Sequence, residues 1–245
     1  MGLEHMTGEY SRAPFPASRV GDIRNRPLIE LRNVTFSAQQ ADVVTNFSAA
    51  FAQGKATAIT GASGAGKSTV LKLAAGLLVP AAGTVLYNGA DISKMSRAAN
   101  LSFRRESAFV FQDSALWANQ TIRQILELPL SLHYPNYSQA ARADMIKDAI
   151  DAVRYTRELD IRPDCLSMGE QKLIAFARAI LCKPQLLFLD EWTESLDNDS
   201  AQRLINLAHQ YKIEGKTLIF VSHSSDIVHA LADTTLEVQA NSCPV

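Results

Sequence analysis

The sequence predicts an α/β fold: a mostly parallel sheet covered on both faces, an N-terminal antiparallel β part and an inserted helical subdomain. Three observations predict it. Short unbroken apolar runs, Ala56–Thr60, Leu186–Leu189 and Thr217–Val221, have the composition of parallel strands buried on both sides. Segments with apolar residues three and four apart, Ser68–Leu78 and about Asp199–Ile213, alternate with them. Between the two halves, from roughly Leu101 to Leu181, helical spacing dominates.

Taken in order, Leu28–Phe36 alternates polar and apolar residues, which suits a half-buried strand. Ala56–Thr60 is a second strand, followed by a glycine-rich turn and a helix over Ser68–Leu78; the apolar Leu73–Val79 reads as the buried end of that helix. Thr84–Tyr87 is a strand leaving through Asn88-Gly89, a hairpin turn signal. Ala108–Phe111 is a further short strand. Helices are expected over Ser138–Val153 and Gly169–Leu181. The folded domain is expected over 28–240, its sheet-bearing core at about 28–100 and 182–240 and its helical subdomain at about 101–181. Residues 1–27, rich in arginine and proline without an apolar stretch, read as a flexible leader rather than a secretory signal.

The balance of charge narrows the function. With 24 basic against 25 acidic residues and a net charge of −1, no strong field draws the chain to nucleic acid. Cys165, Cys182 and Cys243 lack metal-ligand spacing and read as reduced thiols. No run approaches the roughly 18 apolar residues of a spanning helix. Any action on a membrane is therefore expected to pass through a partner.

Gly61-Ala62-Ser63-Gly64-Ala65-Gly66-Lys67-Ser68 fits G-x-x-x-x-G-K-[ST] between a strand and a helix. Such glycines let successive backbone N–H groups wrap a polyphosphate, and the helix N-terminus adds its dipole. Lys67 is expected to reach the β- and γ-phosphates and Ser68 to ligate Mg²⁺. The apolar strand Leu186–Leu189 ends in Asp190 and Glu191, at the strand end beside which ligands bind. Asp190 is the expected partner of Mg²⁺ and Glu191 the base that orients the attacking water.

From about Leu28 to Val238 the chain resembles the nucleotide-binding domains of ATP-binding-cassette transporters, on ordered motifs. Gly61–Thr69 matches the family's Walker A. Gln112, in Phe-Val-Phe-Gln-Asp113, matches its Q-loop glutamine, which senses Mg²⁺ and the membrane partner. Leu166-Ser-Met-Gly-Glu170 matches the signature, Asp190-Glu191 the Walker B acid and catalytic glutamate, Ser195-Leu-Asp197 the D-loop, and His223 the switch histidine. The resemblance implies ATP and Mg²⁺ as cofactors and catalytic roles for Lys67, Gln112, Glu191 and His223. Gln112 joins Ser68 and Asp190 at the metal. Thr69, Ser167, Gly169 and Asp197 join the nucleotide contacts. It further implies an ATP-dependent head-to-tail homodimer, in which Ser167 and Gly169 of one copy complete the γ-phosphate shell of the other. Membrane-spanning transporter subunits are the implied partners, with no nucleic acid, and the place implied is cytoplasmic, on the inner face of the cell membrane.

The chain departs from the family pattern at Met168 (usually glycine), Glu170 (usually Gln), Leu173 (often arginine), Trp192 (usually proline) and Glu194 (usually a small hydroxyl residue). Ala38 stands where an adenine-stacking aromatic is expected, with Phe36 as a substitute or a strand core residue. Lys67, Asp190, Glu191 and His223 are all present, so hydrolysis is expected. Thr121–Leu130 and Arg162-Pro163 look like bacterial lipoprotein-releasing and Mla-type lipid-trafficking ATPases; an importer ATPase for a small solute is the next reading. A soluble cassette ATPase on DNA or ribosomes normally has coiled coils or two cassettes, and a P-loop kinase lacks the signature and switch histidine. Within Asp113–Leu130, Trp117 is read two ways: as a docking residue for the membrane partner, or as filling of the helical subdomain.

Overall fold

The computed structural model describes residues 27–38 and 41–239. Residues 1–26 of the expected leader and Cys243 lie outside these described residues, whereas Pro27, expected in the leader, opens the first strand. Two sheets organise the described residues. The first is antiparallel and four-stranded, in the order β2-β1-β4-β5, from β1 (Pro27–Ala38), β2 (Ala41–Ala52), β4 (Ala82–Tyr87) and β5 (Ala90–Asp91). The second is parallel and five-stranded, in the order β6-β7-β8-β3-β9, from β6 (Ser107–Val110), β7 (Leu186–Asp190), β8 (Thr217–Val221), β3 (Ala56–Thr60) and β9 (Thr234–Glu237). β6 therefore brings Ser107–Val110, inside the stretch dominated by helical spacing, into the parallel sheet beside β7.

The alternation of side chains along a strand divides the interior into two cores. Ala56, Ala58, Leu187, Leu189, Leu218 and Phe220 face one core. Ile59, Leu186, Phe188, Ile219 and Val221 face the other. The first core is closed by α3 (Ile122–His133), α4 (Gln139–Val153), α5 (Met168–Ile180), α6 (Asn198–Ile213) and α7 (Ser225–Leu231). The second is closed by α1 (Lys67–Ala74), by Phe103 of α2 (Arg97–Glu106) and by the antiparallel sheet.

Helix starts follow side-chain capping chemistry. Ser96, Thr121, Ser138, Ser167, Asp197 and Ser224 each accept a hydrogen bond from a first-turn backbone N–H. Thr121 with Gln124, and Ser167 with Glu170, form reciprocal capping boxes. The Asn88-Gly89 signal is realised, with φ of 50° and 78°, between β4 and β5.

One element is shorter than its pattern. α1 stops at Ala74, not Leu78, because Gly76 turns left-handed at φ 61°. Its N–H bonds Leu73 O and that of Leu77 bonds Lys72 O, the paired closure of a glycine-ended helix. The expected buried helix end holds for Leu73–Ala75, which are buried, but not beyond Gly76: Leu77 is 41% and Val79 77% exposed. Among the described residues no helix is long and apolar enough to cross a membrane.

Candidate nucleotide and metal site

The loop between β3 and α1 is shaped by glycine where no other residue fits. A Cβ at Gly61 would lie 2.2 Å from Val238 O, and Gly66 sits at φ 88° against Val43 and Val44. Lys67, only 7% exposed, folds back over this loop, donating to Gly61 O at 3.1 Å and Ala62 O at 2.8 Å. Its ammonium thus lies inside the turn whose backbone would wrap a phosphate, bonded to carbonyls that a stronger anion can replace. Ser68, one residue into the helix, donates its hydroxyl to Asp190 Oδ1 at 2.7 Å.

Asp190 is only partly satisfied by the protein groups around it. Its side chain is 1% exposed, and Oδ2 is buried without a hydrogen bond. Lys72 Nζ stands 4.0 Å away, near enough to attract but not to bond. Burial pushes the Asp190 carboxyl above its ordinary pKa, despite the Ser68 bond. A buried anionic oxygen beside a free hydroxyl lone pair is the donor chemistry of a hard divalent cation, so Ser68 and Asp190 fit Mg²⁺.

Glu191 follows at the strand end in a left-handed conformation, φ 46°, which carries its side chain out of the strand alternation. Both carboxylate oxygens are occupied: Oε1 by His223 Nε2 at 2.8 Å, Oε2 by Gln112 Nε2 at 2.7 Å. β6, β7 and β8 end together in the parallel sheet, which is why Gln112, Glu191 and His223 meet from positions far apart in sequence. A carboxylate held this way can align a water for attack and take its proton.

Ser167 and Asp197 serve their own helix starts, and Gly169 packs beside Ser195 and Leu196. Ser167 caps α5, and its N–H and hydroxyl both reach Glu170 Oε2, at 2.8 and 3.0 Å. Arg157 clamps the same carboxylate at 3.0 and 3.1 Å. These contacts, the Ser167 N–H first, hold Glu170 below the ordinary carboxylate pKa. Gly169 faces Leu196 and Ser195 at ordinary contact distance, so nothing inside this chain demands a glycine there. Asp197 caps α6 through Ser200 N. Met168, 67% exposed, stands free beside them.

Two residues absent from the expected site are built into it. Lys172, 3% exposed, donates to the Glu191 main-chain oxygen at 2.9 Å, and Glu194 accepts from Gln112 Nε2 at 3.0 Å. A lysine on the otherwise apolar face of α5 was a readable signal for the first. Trp192 is fully buried, its ring edge-on to Phe220 at 5.6 Å, filling core volume directly behind Glu191. Phe36 is half-buried against the second core opposite Val44, while Ala38 is exposed.

A glycine loop between strand and helix, with an acid-ended strand beside it, defines a nucleoside-triphosphate-handling α/β domain. The family model for the ABC transporter matches residues 44–194, and the chain belongs to that family. It is therefore an ATP-hydrolysing cassette domain. The chain is 33% identical over 207 residues to the macrolide export ATP-binding/permease protein MacB of Marinobacter nauticus, across 82% of this chain but 32% of that longer protein. It is 30% identical over 222 residues to the octopine permease ATP-binding protein P of Rhizobium radiobacter, across 86% of this chain and 84% of that one. Among solved structures, the dimeric MJ0796, a bacterial ABC transporter cassette, superposes with a TM-score of 0.78 at 25% identity, covering 86% of this chain and 94% of that one.

Proposed function

We propose that this chain is the ATP-driven motor subunit of a membrane transporter, cytoplasmic and held at the inner face of the membrane by spanning subunits. The observation that carries the reading is Glu191, fixed between Gln112 and His223 beside the orphaned oxygen of Asp190. In this reading Gly61–Thr69 wrap the triphosphate and Lys67 leaves the carbonyls of Gly61 and Ala62 for its β- and γ-oxygens. Ser68, Asp190 and Gln112 hold Mg²⁺, which neutralises phosphate charge when bound. Glu191 aligns the attacking water, and His223 keeps its carboxylate oriented. Ser167 and Gly169 serve the nucleotide of a second copy. A glycine at 169 that no contact within this chain requires supports that, as does the dimeric state named for MJ0796. Ser167 must then leave Glu170 to reach a phosphate.

The membrane side has a physical candidate. A cleft of about 340 Å³ is lined by Leu77, Phe109, Phe111, Ala115, Trp117 and Arg178. Trp117 is 45% exposed with the Arg178 guanidinium 5.6 Å from its ring centre, so it does not fill the helical subdomain. Arg178 also bonds Ser114 O and Ala115 O, tying the segment after Gln112 to α5. Docking there would pull on Gln112 and α5 together. Trp117→Ala is expected to leave the melting temperature and basal hydrolysis unchanged. It should weaken co-purification with the cognate spanning subunits by about 2 kcal/mol, as for an exposed aromatic anchor. Unchanged co-purification would reject this cleft as the dock.

The segment Thr121–Leu130 with Arg162-Pro163 supports lipid or lipoprotein trafficking as the branch. The relatives' names range over macrolide, octopine, methionine and nickel. Substrate choice is accordingly assigned to the spanning subunits. Phosphate release by the purified protein with Mg²⁺-ATP, stimulated by those subunits in lipid, is the test; no stimulation would remove the motor reading.

A further inference from the structure

We propose that Glu194 is a further positioning residue of the hydrolytic site, acting through Gln112. Its carboxylate and that of Glu191 take both N–H groups of one amide, which fixes the Gln112 oxygen as the atom left free for a cation. Gln112 Nε2 donates to Glu191 Oε2 at 2.7 Å and to Glu194 Oε2 at 3.0 Å. An amide nitrogen carries two hydrogens and the oxygen none. The reversed amide would set oxygen lone pairs against two carboxylates and lose both charge-assisted bonds. With Glu191 alone, one N–H would stay uncommitted and the side chain would turn more freely.

The backbone brings Glu194 to this place. Glu191 and Ser195 are both left-handed, with φ of 46° and 65°, and Glu194 N bonds Glu191 O at 3.2 Å. That tight turn returns the Glu194 carboxylate alongside Glu191. Lys172 pins the same turn from below through the Glu191 carbonyl, and its buried charge lies in the field of Glu194, Glu191 and Asp190. An added acid at an already acidic strand end is thus offset by an added buried cation. His223 closes the other side of Glu191. Glu194 is exposed, so its replacement leaves the core intact.

The inference rests on the reading of Gln112 as a metal-facing glutamine, and the experiment separates the two. Mn²⁺ retention in the presence of ATPγS is followed by loss of the free-Mn²⁺ paramagnetic signal, for E194A, E194Q, Q112A and the double variant E194A/Q112A. Nucleotide affinity without metal is measured alongside. E194A is expected to weaken Mn²⁺ retention roughly tenfold, as for loss of a ligand's hydrogen-bond partner. E194Q keeps an acceptor oxygen for Gln112 and should recover most of that loss. Metal-free nucleotide affinity should not move, and E194A should add nothing on top of Q112A. Wild-type retention in E194A with a weakened Q112A overturns the role of Glu194 alone. Wild-type retention in Q112A overturns the metal-facing reading of Gln112 as well. A full E194A loss within the Q112A background would make Glu194 a ligand itself, and an E194Q loss equal to that of E194A would exclude the hydrogen bond; either result overturns positioning.

Discussion

Glu191→Gln is expected to bind ATP with unchanged affinity and to lose about 10²–10⁴-fold in turnover, the usual weight of a positioned general base. The substitution preserves volume, and Glu191 makes none of the contacts that shape the loop at Gly61–Ser68. It removes the carboxylate that faces His223 and Gln112 at 2.8 and 2.7 Å. A loss of kcat without a loss of binding is the signature of a group needed only at the transition state. Phosphate release and equilibrium nucleotide binding on the same preparation check it. Turnover comparable to the unaltered protein would remove Glu191 from the chemistry.

Asp190→Asn is expected to act in opposite directions on stability and activity. At neutral pH the buried carboxylate has no hydrogen bond at Oδ2 and only a cation 4.0 Å away, so the metal-free fold carries an under-compensated charge. Neutral asparagine keeps an acceptor for Ser68 and leaves at most an unpaired N–H, a smaller penalty than an unpaired charge. The metal-free melting temperature should rise, by about 2–4 °C for each kcal/mol at this chain length. Because burial raises the Asp190 pKa, aspartate itself becomes neutral in the fold as pH falls; the gain is largest at neutral pH and shrinks on acidification. Hydrolysis should fall by at least ~100-fold, since a bound cation supplies several kcal/mol of charge stabilisation. A variant less stable than the parent at neutral pH would contradict the account of the orphaned oxygen.

Local chemistry made much of this legible. The apolar runs that became β3, β7 and β8 are buried on both faces, so composition alone marked them. The phosphate loop was legible as a short motif and the acids ending β7 as a break in an apolar run, although the contacts they answer to, Val238 for Gly61 and Ser68 for Asp190, lie far along the chain. What could not be read depends on tertiary partners. Trp117 looks like core by composition, yet its ring lies at the surface because Arg178 of α5 meets it there. The apolar Leu77 and Val79 continued a helical pattern that Gly76 had already ended. Glu194 stood out as a departure, but its meeting with Gln112 needs β6 beside β7 and a left-handed Glu191. Lys172 and Glu191 meet only because α5 packs behind that same strand end.

The central claim is that this site is completed by a second copy, Ser167 and Gly169 meeting the phosphate held at Gly61–Ser68. It is tested most directly by the solution mass of Glu191→Gln, by light scattering, with and without Mg²⁺-ATP. The account predicts a monomer without nucleotide and a doubled mass with it, and no doubling when Ser167→Arg is added, because the arginine places bulk against the γ-phosphate. An unchanged mass in saturating Mg²⁺-ATP would contradict it.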